Sequence, residues 1–164
     1  MAGEKVIIYG DEYYPPYSFV EKGVNQGIYV ELIQAAAKKL SPEYDVEIQL
    51  VPWKRGLEYL KSGFGLALFP PYQRRERSYI EPYSMPIHSE KIALFCNDAT
   101  MQLPRNQFPE DFKKLIIGVN AGFVQSYALQ AAARKGVLQI DEAKSNEANI
   151  LKLQTERINC FASD

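Results

Sequence analysis

Short apolar runs and amphipathic helical segments alternate along almost the whole chain, and this alternation limits the fold more than any other feature. "KVIIYG" is a compact β-rich run closed by a glycine. In "YVELIQAAAKKL", Val30, Ile33, Ala37 and Leu40 recur at intervals of three and four, the spacing of one helix face. Ser41-Pro42 then stops the helix, because the proline ring disfavours helical backbone in the residue before it. In "DVEIQLV", Val46, Ile48 and Leu50 fall on one face of a strand. "WKRGLEYLKSG" returns to helical spacing through Trp53, Leu57 and Leu60, with Gly63 placed to end it, and "LALF" is a short buried strand. The order β-α-β-α-β predicts an open α/β sheet.

The pattern repeats after "EKIALFCND". "KLIIGVN" reads as a buried strand, "FVQSYALQAAARKG" as a helix ended by Gly136, and "VLQI" as a short strand. "NEANILKLQTER" is a helix whose start Asn146 and Glu147 favour, and "INCFASD" is a final strand. No internal repeat or low-complexity linker interrupts the chain. The expected organisation is two α/β lobes, 1–94 and 95–164, with a strand at 92–96 crossing between them.

In open α/β sheets, ligands bind beyond the carboxyl ends of the strands. Four candidate groups sit at such ends. Asp11, Tyr14 and Tyr17 follow the first strand, and Phe69, Tyr72 and an arginine run follow "LALF". Gly122 and Phe123 follow "IIGVN", and Asp164 follows "INCFA". Tyr14, beside Pro15 and Pro16, has no evident core role and is expected to touch ligand or to pack in a lid. Trp53 suits either the core of its helix or a ligand wall.

The arginine run, "FPPYQRRERSYIEPYS", could be a phosphate-binding patch, a solvated loop or a clamp for one small anion. Charge decides against the first. The chain has 19 Lys plus Arg against 20 Asp plus Glu, a net charge of −1, whereas nucleic-acid binders carry a basic excess over a whole face. Convergence with the other strand ends favours the clamp. The single His88 gives little basis for a zinc site or a Ser-His-Asp triad, so neither a metal nor a cofactor is expected. No apolar run approaches the roughly 18 residues of a membrane-spanning helix, and the start "MAGEK" has no apolar leader core. Cys96 and Cys160 lack CxxC spacing; buried free thiols are expected ahead of a single bridge.

Several motifs, in order, resemble those of the family 3 extracellular solute-binding proteins, the periplasmic receptors of polar-amino-acid ABC transporters. "YPPYSF" resembles the family's Tyr-x-Pro-[Phe/Tyr]-x-Phe, and "GIYVELIQAAAKKL" its Gly-[Phe/Tyr]-x-[Val/Ile]-[Asp/Glu]-Leu helix opening. "PWKRGLEYLKSGFGLAL" and "RRERSYIEPYSMPIHSEKIALF" are similar to its Pro-Trp-x-Arg and Thr-x-Glu-Arg…Pro-Tyr segments. "IIGVNAGFVQSY" and "LQTERINCFASD" resemble its second-lobe turn and its Gly-Arg-x-Asp end. The resemblance implies a periplasmic-binding-protein-like fold whose two lobes close on a small solute. It implies that Asp11 and Asp164 receive an ammonium group, that Tyr14 and Trp53 wall the pocket, and that Arg77 grips a carboxylate. It also implies a periplasmic mature protein, made with a signal peptide and partnered by a membrane permease.

Three departures bear on the ligand. Tyr72 stands where amino-acid receptors place Ser or Thr, Phe123 and Val124 replace hydroxyl residues after Gly122, and Gly65 replaces an Asp. Family members also continue past position 164, so the second lobe is expected to be incomplete, with an exposed edge open to self-association. The expected function is non-enzymatic binding of a small polar solute for uptake. The alternatives are a ligand-sensing input domain and a periplasmic enzyme like cyclohexadienyl dehydratase.

Overall fold

The structure, a computed structural model, describes residues 3–123 and 125–163. The chain forms two compact units, Met1–Met85 and Pro86–Asp164.

In the first unit, β1 (Glu4–Asp11) lies between β5 (Tyr44–Val51) and β6 (Ala67–Phe69), all parallel. The connections are α1 (Ile28–Lys38) and α2 (Trp53–Lys61), the two crossovers that the alternation predicts. Register places Asp11 opposite Val51 and Gly10 opposite Phe69, so the loops after all three strands start at one sheet edge. Residues 11–26 correct the reading of a simple loop. They form a small antiparallel meander of β2 (Tyr13–Tyr14), β3 (Ser18–Glu21) and β4 (Val24–Gln26). Leu40 is a second correction: α1 ends before it, and the side chain is 51% exposed instead of completing the buried face. The face is carried by Tyr29 and Val30, which are almost fully buried.

In the second unit the sheet order is β7-β10-β8-β9. Here β8 (Ile116–Asn120), β9 (Gln139–Ala143) and β10 (Cys160–Ser163) run parallel, and β7 (Ala93–Cys96) lies antiparallel on β10. The connecting helices are α4 (Tyr127–Arg134) and α5 (Asn146–Gln154); a short α3 (Asp98–Met101) follows β7. Ser126 and Ser145 cap α4 and α5, their hydroxyl oxygens accepting N–H groups of Leu129 and Ala148 at 3.1 and 3.3 Å. Each such cap is worth about 1 kcal/mol. The third strand falls slightly later than "VLQI", because Leu138 is used as a core plug, 2% exposed, before pairing begins at Gln139. It joins Phe112, Ile117, Val119 and Leu129 in the unit's core.

The cysteines correct the expectation of free thiols: Cys96 and Cys160 form a disulfide. Register explains it. The two residues are direct partners across β7 and β10, and Asn97 N–H donates to the Asn159 carbonyl one step along. The 97/159 pair is therefore the hydrogen-bonded one, which leaves 96/160 at a non-hydrogen-bonded position, where facing side chains come closest.

Gly118 is fixed by a close approach. A Cβ there would lie 2.5 Å from Asn149 Oδ1 and 2.6 Å from Ile158 Cδ1, both on groups that are fully buried. Gly118→Ala is expected to destabilise the protein by about 1–3 kcal/mol through this overpacking. Urea unfolding checks it; a change below about 0.5 kcal/mol, the range of ordinary surface substitutions, would mean that α5 does not sit on β8 in this way.

Candidate functional site

In the first unit, the aligned strand ends position most of the expected ligand groups. Asp11 closes β1 and is 1% exposed. Its Oδ1 accepts the Tyr13 N–H at 2.9 Å, while Oδ2 is buried with no hydrogen-bond partner. Burial raises the carboxyl to about 6, against the Tyr13 N–H, which lowers it; the neighbouring Glu12 adds a smaller upward push. A carboxylate in this state is a strong acceptor for a cation that can reach its second oxygen.

Beside it, β5 ends at Val51, and Pro52 starts α2 with Trp53 as the first helical residue. Pro52 suits the position because the first N–H groups of a helix have no intrahelical partner to lose. Trp53 is buried, and the Arg77 guanidinium lies 5.7 Å from its ring centroid. That distance is within cation–π range. Arg77 closes a 3₁₀ turn, Arg75–Arg77, whose three-residue period sends positions 77 and 80 inward. Arg77 and Ile80 are buried, Arg75 is exposed and Arg74 is half-buried. Burial lowers the Arg77 pKa, with Tyr79 and Tyr83 acting in the other direction, but a guanidinium keeps its charge. The structure thus pairs Trp53 with Arg77, a pairing that separate motif readings did not anticipate.

Tyr14 is a correction: far from lacking a core role, it is 4% exposed, with its ring 4.9 Å from Tyr17, which stacks on Tyr29 at 5.0 Å. Phe69 is buried against Gly10, where a side chain would collide with its ring. Tyr72 presents its carbonyl to the Tyr83 hydroxyl at 3.3 Å.

In the second unit, Gly122 has φ 80, a conformation that favours glycine, and Phe123 N–H donates back to the Asn120 carbonyl at 3.0 Å. Asp164 lies outside the described residues. The sequence reading missed the amide ladder beneath this turn. Asn149 Nδ2 donates to Asn120 Oδ1, and Asn120 Nδ2 donates to Asn146 Oδ1, both at 2.8 Å. The i, i+3 spacing of Asn146 and Asn149 in "NEANIL" was the available signal: it puts two amides on one helix face. Among the described residues, no three His, Cys, Asp or Glu side chains converge as a metal group, and no helix is long and apolar enough to cross a membrane.

Comparison with solved structures places this architecture among periplasmic-binding-protein-like folds. An ancestral arginine-binding protein bound to arginine superposes with a TM-score of 0.81 at 17% identity, over 100% of this chain and 71% of that one. A histidine kinase sensor domain with similarity to periplasmic binding proteins gives 0.79 at 21% identity, over 98% and 68%. An ancestral amino acid-binding protein, a precursor of cyclohexadienyl dehydratase, gives 0.76 at 20% identity, over 98% and 70%. No curated protein matches the sequence. The family whose sequence pattern matches does so over residues 6–128, a span that contains both the Asp11–Trp53–Arg77 strand ends and the Gly122 turn. The chain belongs to the bacterial extracellular solute-binding proteins, family 3.

Proposed function

We propose that this protein binds a small solute carrying both a carboxylate and a cationic nitrogen, an amino acid or a close analogue, outside the cytoplasm for uptake by an ABC permease. The observation that carries this reading is the pair of buried charges at one sheet edge of the first unit. Arg77 is braced on Trp53, and Asp11 keeps one buried oxygen without a partner. A fixed guanidinium fork matches a carboxylate, and a buried carboxylate matches an ammonium or guanidinium. The Cys96–Cys160 bridge supports an oxidising compartment, since such bonds persist there and are rare in the cytosol. Amino-acid ligands in the names of similar structures agree with this chemistry.

The reading is of a binding protein and not an enzyme; the similar dehydratase precursor is itself an amino acid-binding protein. Sensing is a second reading of the same site, favoured by the likeness to a histidine kinase sensor domain. A thermal-shift series over amino acids, polyamines, small carboxylates and sugars tests the ligand class. A ligand at about 100 times its Kd adds about 2.7 kcal/mol of stability. Stabilisation by sugars alone would overturn the proposal.

Asp11 adds a pH signature. Its folded-state value near 6 lies above its ordinary value of 3.8, so the folded apo-protein holds the proton more tightly than the unfolded chain. Stability from this group is full below the lower value and is lost as pH rises through 6. A cationic solute needs the ionised form, so its affinity is expected to fall by up to about tenfold per pH unit below 6. Calorimetry at a series of pH values checks this, with Asp11→Asn as the reference. A wild-type affinity flat from pH 7 to 5 would remove Asp11 from the cation site.

A further inference from the structure

The second unit holds a cavity that none of the residues above explains. Its volume is about 310 Å³, and its walls include Leu94 of β7, Ala162 of β10, Leu129 of α4, and Phe108 and Phe112 from the segment before β8. Arg105, Asn106, Gln125 and Ser126 are its polar lining residues, and the plane of Arg105 is fixed. Nε donates to the Thr100 carbonyl at 2.8 Å, Nη1 donates to the Asp111 carbonyl, and the guanidinium carbon lies 5.7 Å from the Phe112 ring centroid. The carboxylate of Asp111, the residue whose carbonyl Arg105 meets, is turned elsewhere: Asp111 Oδ2 accepts the N–H groups of Asn106 and Gln107, each at 2.8 Å. Among the described residues, no carboxylate forms an ion pair with Arg105.

We propose that this cavity is a second binding site, for a small monocarboxylate with an apolar body, such as a short aliphatic or arylalkyl acid. The reasoning is one of complementarity. A guanidinium has five N–H donors in a fixed fork, and the two carbonyls occupy donors on Nε and Nη1 while leaving Nη2 to a ligand. A half-buried cation without a carboxylate partner selects an anionic head, and the leucine, alanine and phenylalanine walls select an apolar body. A free amine would set two cations against each other, and an inorganic anion would leave the walls uncovered. Ser126 also lines the cavity, and its oxygen accepts the Leu129 N–H at 3.1 Å, which leaves its hydroxyl proton to a ligand. The site lies wholly within the second unit and does not depend on the reading of Asp11 and Arg77.

The experiment is amide chemical-shift mapping on the labelled full chain, with 4-phenylbutyrate as probe and 4-phenylbutylamine and 4-phenylbutanol as matched controls. Saturable shifts at Leu94, Phe112 and Leu129 are expected with the carboxylate, much weaker ones with the alcohol, and none with the amine. Arg105→Gln is expected to weaken the carboxylate by about tenfold or more, the loss typical of one charged hydrogen bond. Because Arg105 also braces two carbonyls, Ala162→Phe serves as a second variant that fills the cavity while leaving Arg105 in place, and it should abolish the shifts. No saturable shifts, an equal response to the amine, carboxylate binding unchanged in Ala162→Phe, or shifts confined to the first unit would each overturn the proposal.

Discussion

Breaking the Cys96–Cys160 bridge is expected to cost about 4 kcal/mol of stability. The bond joins strands whose cysteines are 64 residues apart in sequence, so the loop it closes contains β8, α4, β9 and α5, nearly the whole second unit. Constraining a loop of that length removes chain entropy from the unfolded state equivalent to about 4 kcal/mol. For a unit of this size, each kcal/mol moves the melting midpoint by about 4–8 °C, so the expected drop is on the order of 15–30 °C. Cys160 is fully buried and Cys96 half-buried, so reduction has to be confirmed rather than assumed. The measurement is therefore equilibrium urea unfolding with and without reductant, with thiol labelling to confirm reduction. The reduced protein should unfold at a lower midpoint and with a steeper denaturant slope, because its unfolded chain is less compact. Coincident midpoints would mean that the bridge adds nothing to the folded second unit. A large loss has a physiological reading as well: a chain this dependent on one bond is suited to an oxidising compartment, consistent with the proposed site of action.

How much of this was legible in the sequence depended on whether a feature is local. The spacing of Trp53, Leu57 and Leu60 marked α2 because helix periodicity is written in consecutive residues. The same holds for the alternation in β5, whose eight-residue register with β1 then aligns Asp11 with the start of α2. The disulfide was not legible, since the cysteines become neighbours only through the pairing of β7 and β10. Tyr14 was misread for a related reason. Its partners Tyr17 and Tyr29 come together only when residues 11–26 fold as a meander, and Pro15-Pro16 hides the strand alternation there. The Trp53–Arg77 contact joins two motifs that are each readable but whose meeting is tertiary. Arg105, in a segment with no motif, was passed over altogether; its role comes from two backbone carbonyls that no side-chain pattern announces.

The second large effect is expected at Arg77. Removing its guanidinium should weaken a carboxylate-bearing solute by about ten- to a hundredfold, or about 1.5–3 kcal/mol, while the same change at Arg75 should cost less than about 0.5 kcal/mol. The two arginines are two residues apart and chemically identical, so the difference comes from the fold alone. The 3₁₀ turn places Arg77 on the inward row with Ile80 and leaves Arg75 in solvent. An exposed cation is hydrated and mobile; a buried one, braced on an indole, is already desolvated and oriented before the solute arrives. Arg77→Lys should recover little, because an ammonium offers a point charge without the planar fork or the stacking surface. Losing the contact with Trp53 will itself cost about 0.5–2 kcal/mol of folding stability. Thermal melts of each variant without solute separate that loss from the binding loss. Trp53 is the only tryptophan, so its fluorescence reports directly on the Arg77 environment in the free protein and during titration. Titration calorimetry with the solute found by thermal shift then gives the two affinities. Equal losses at positions 75 and 77 would mean that the run acts as a diffuse basic patch, and the single-arginine clamp would be wrong.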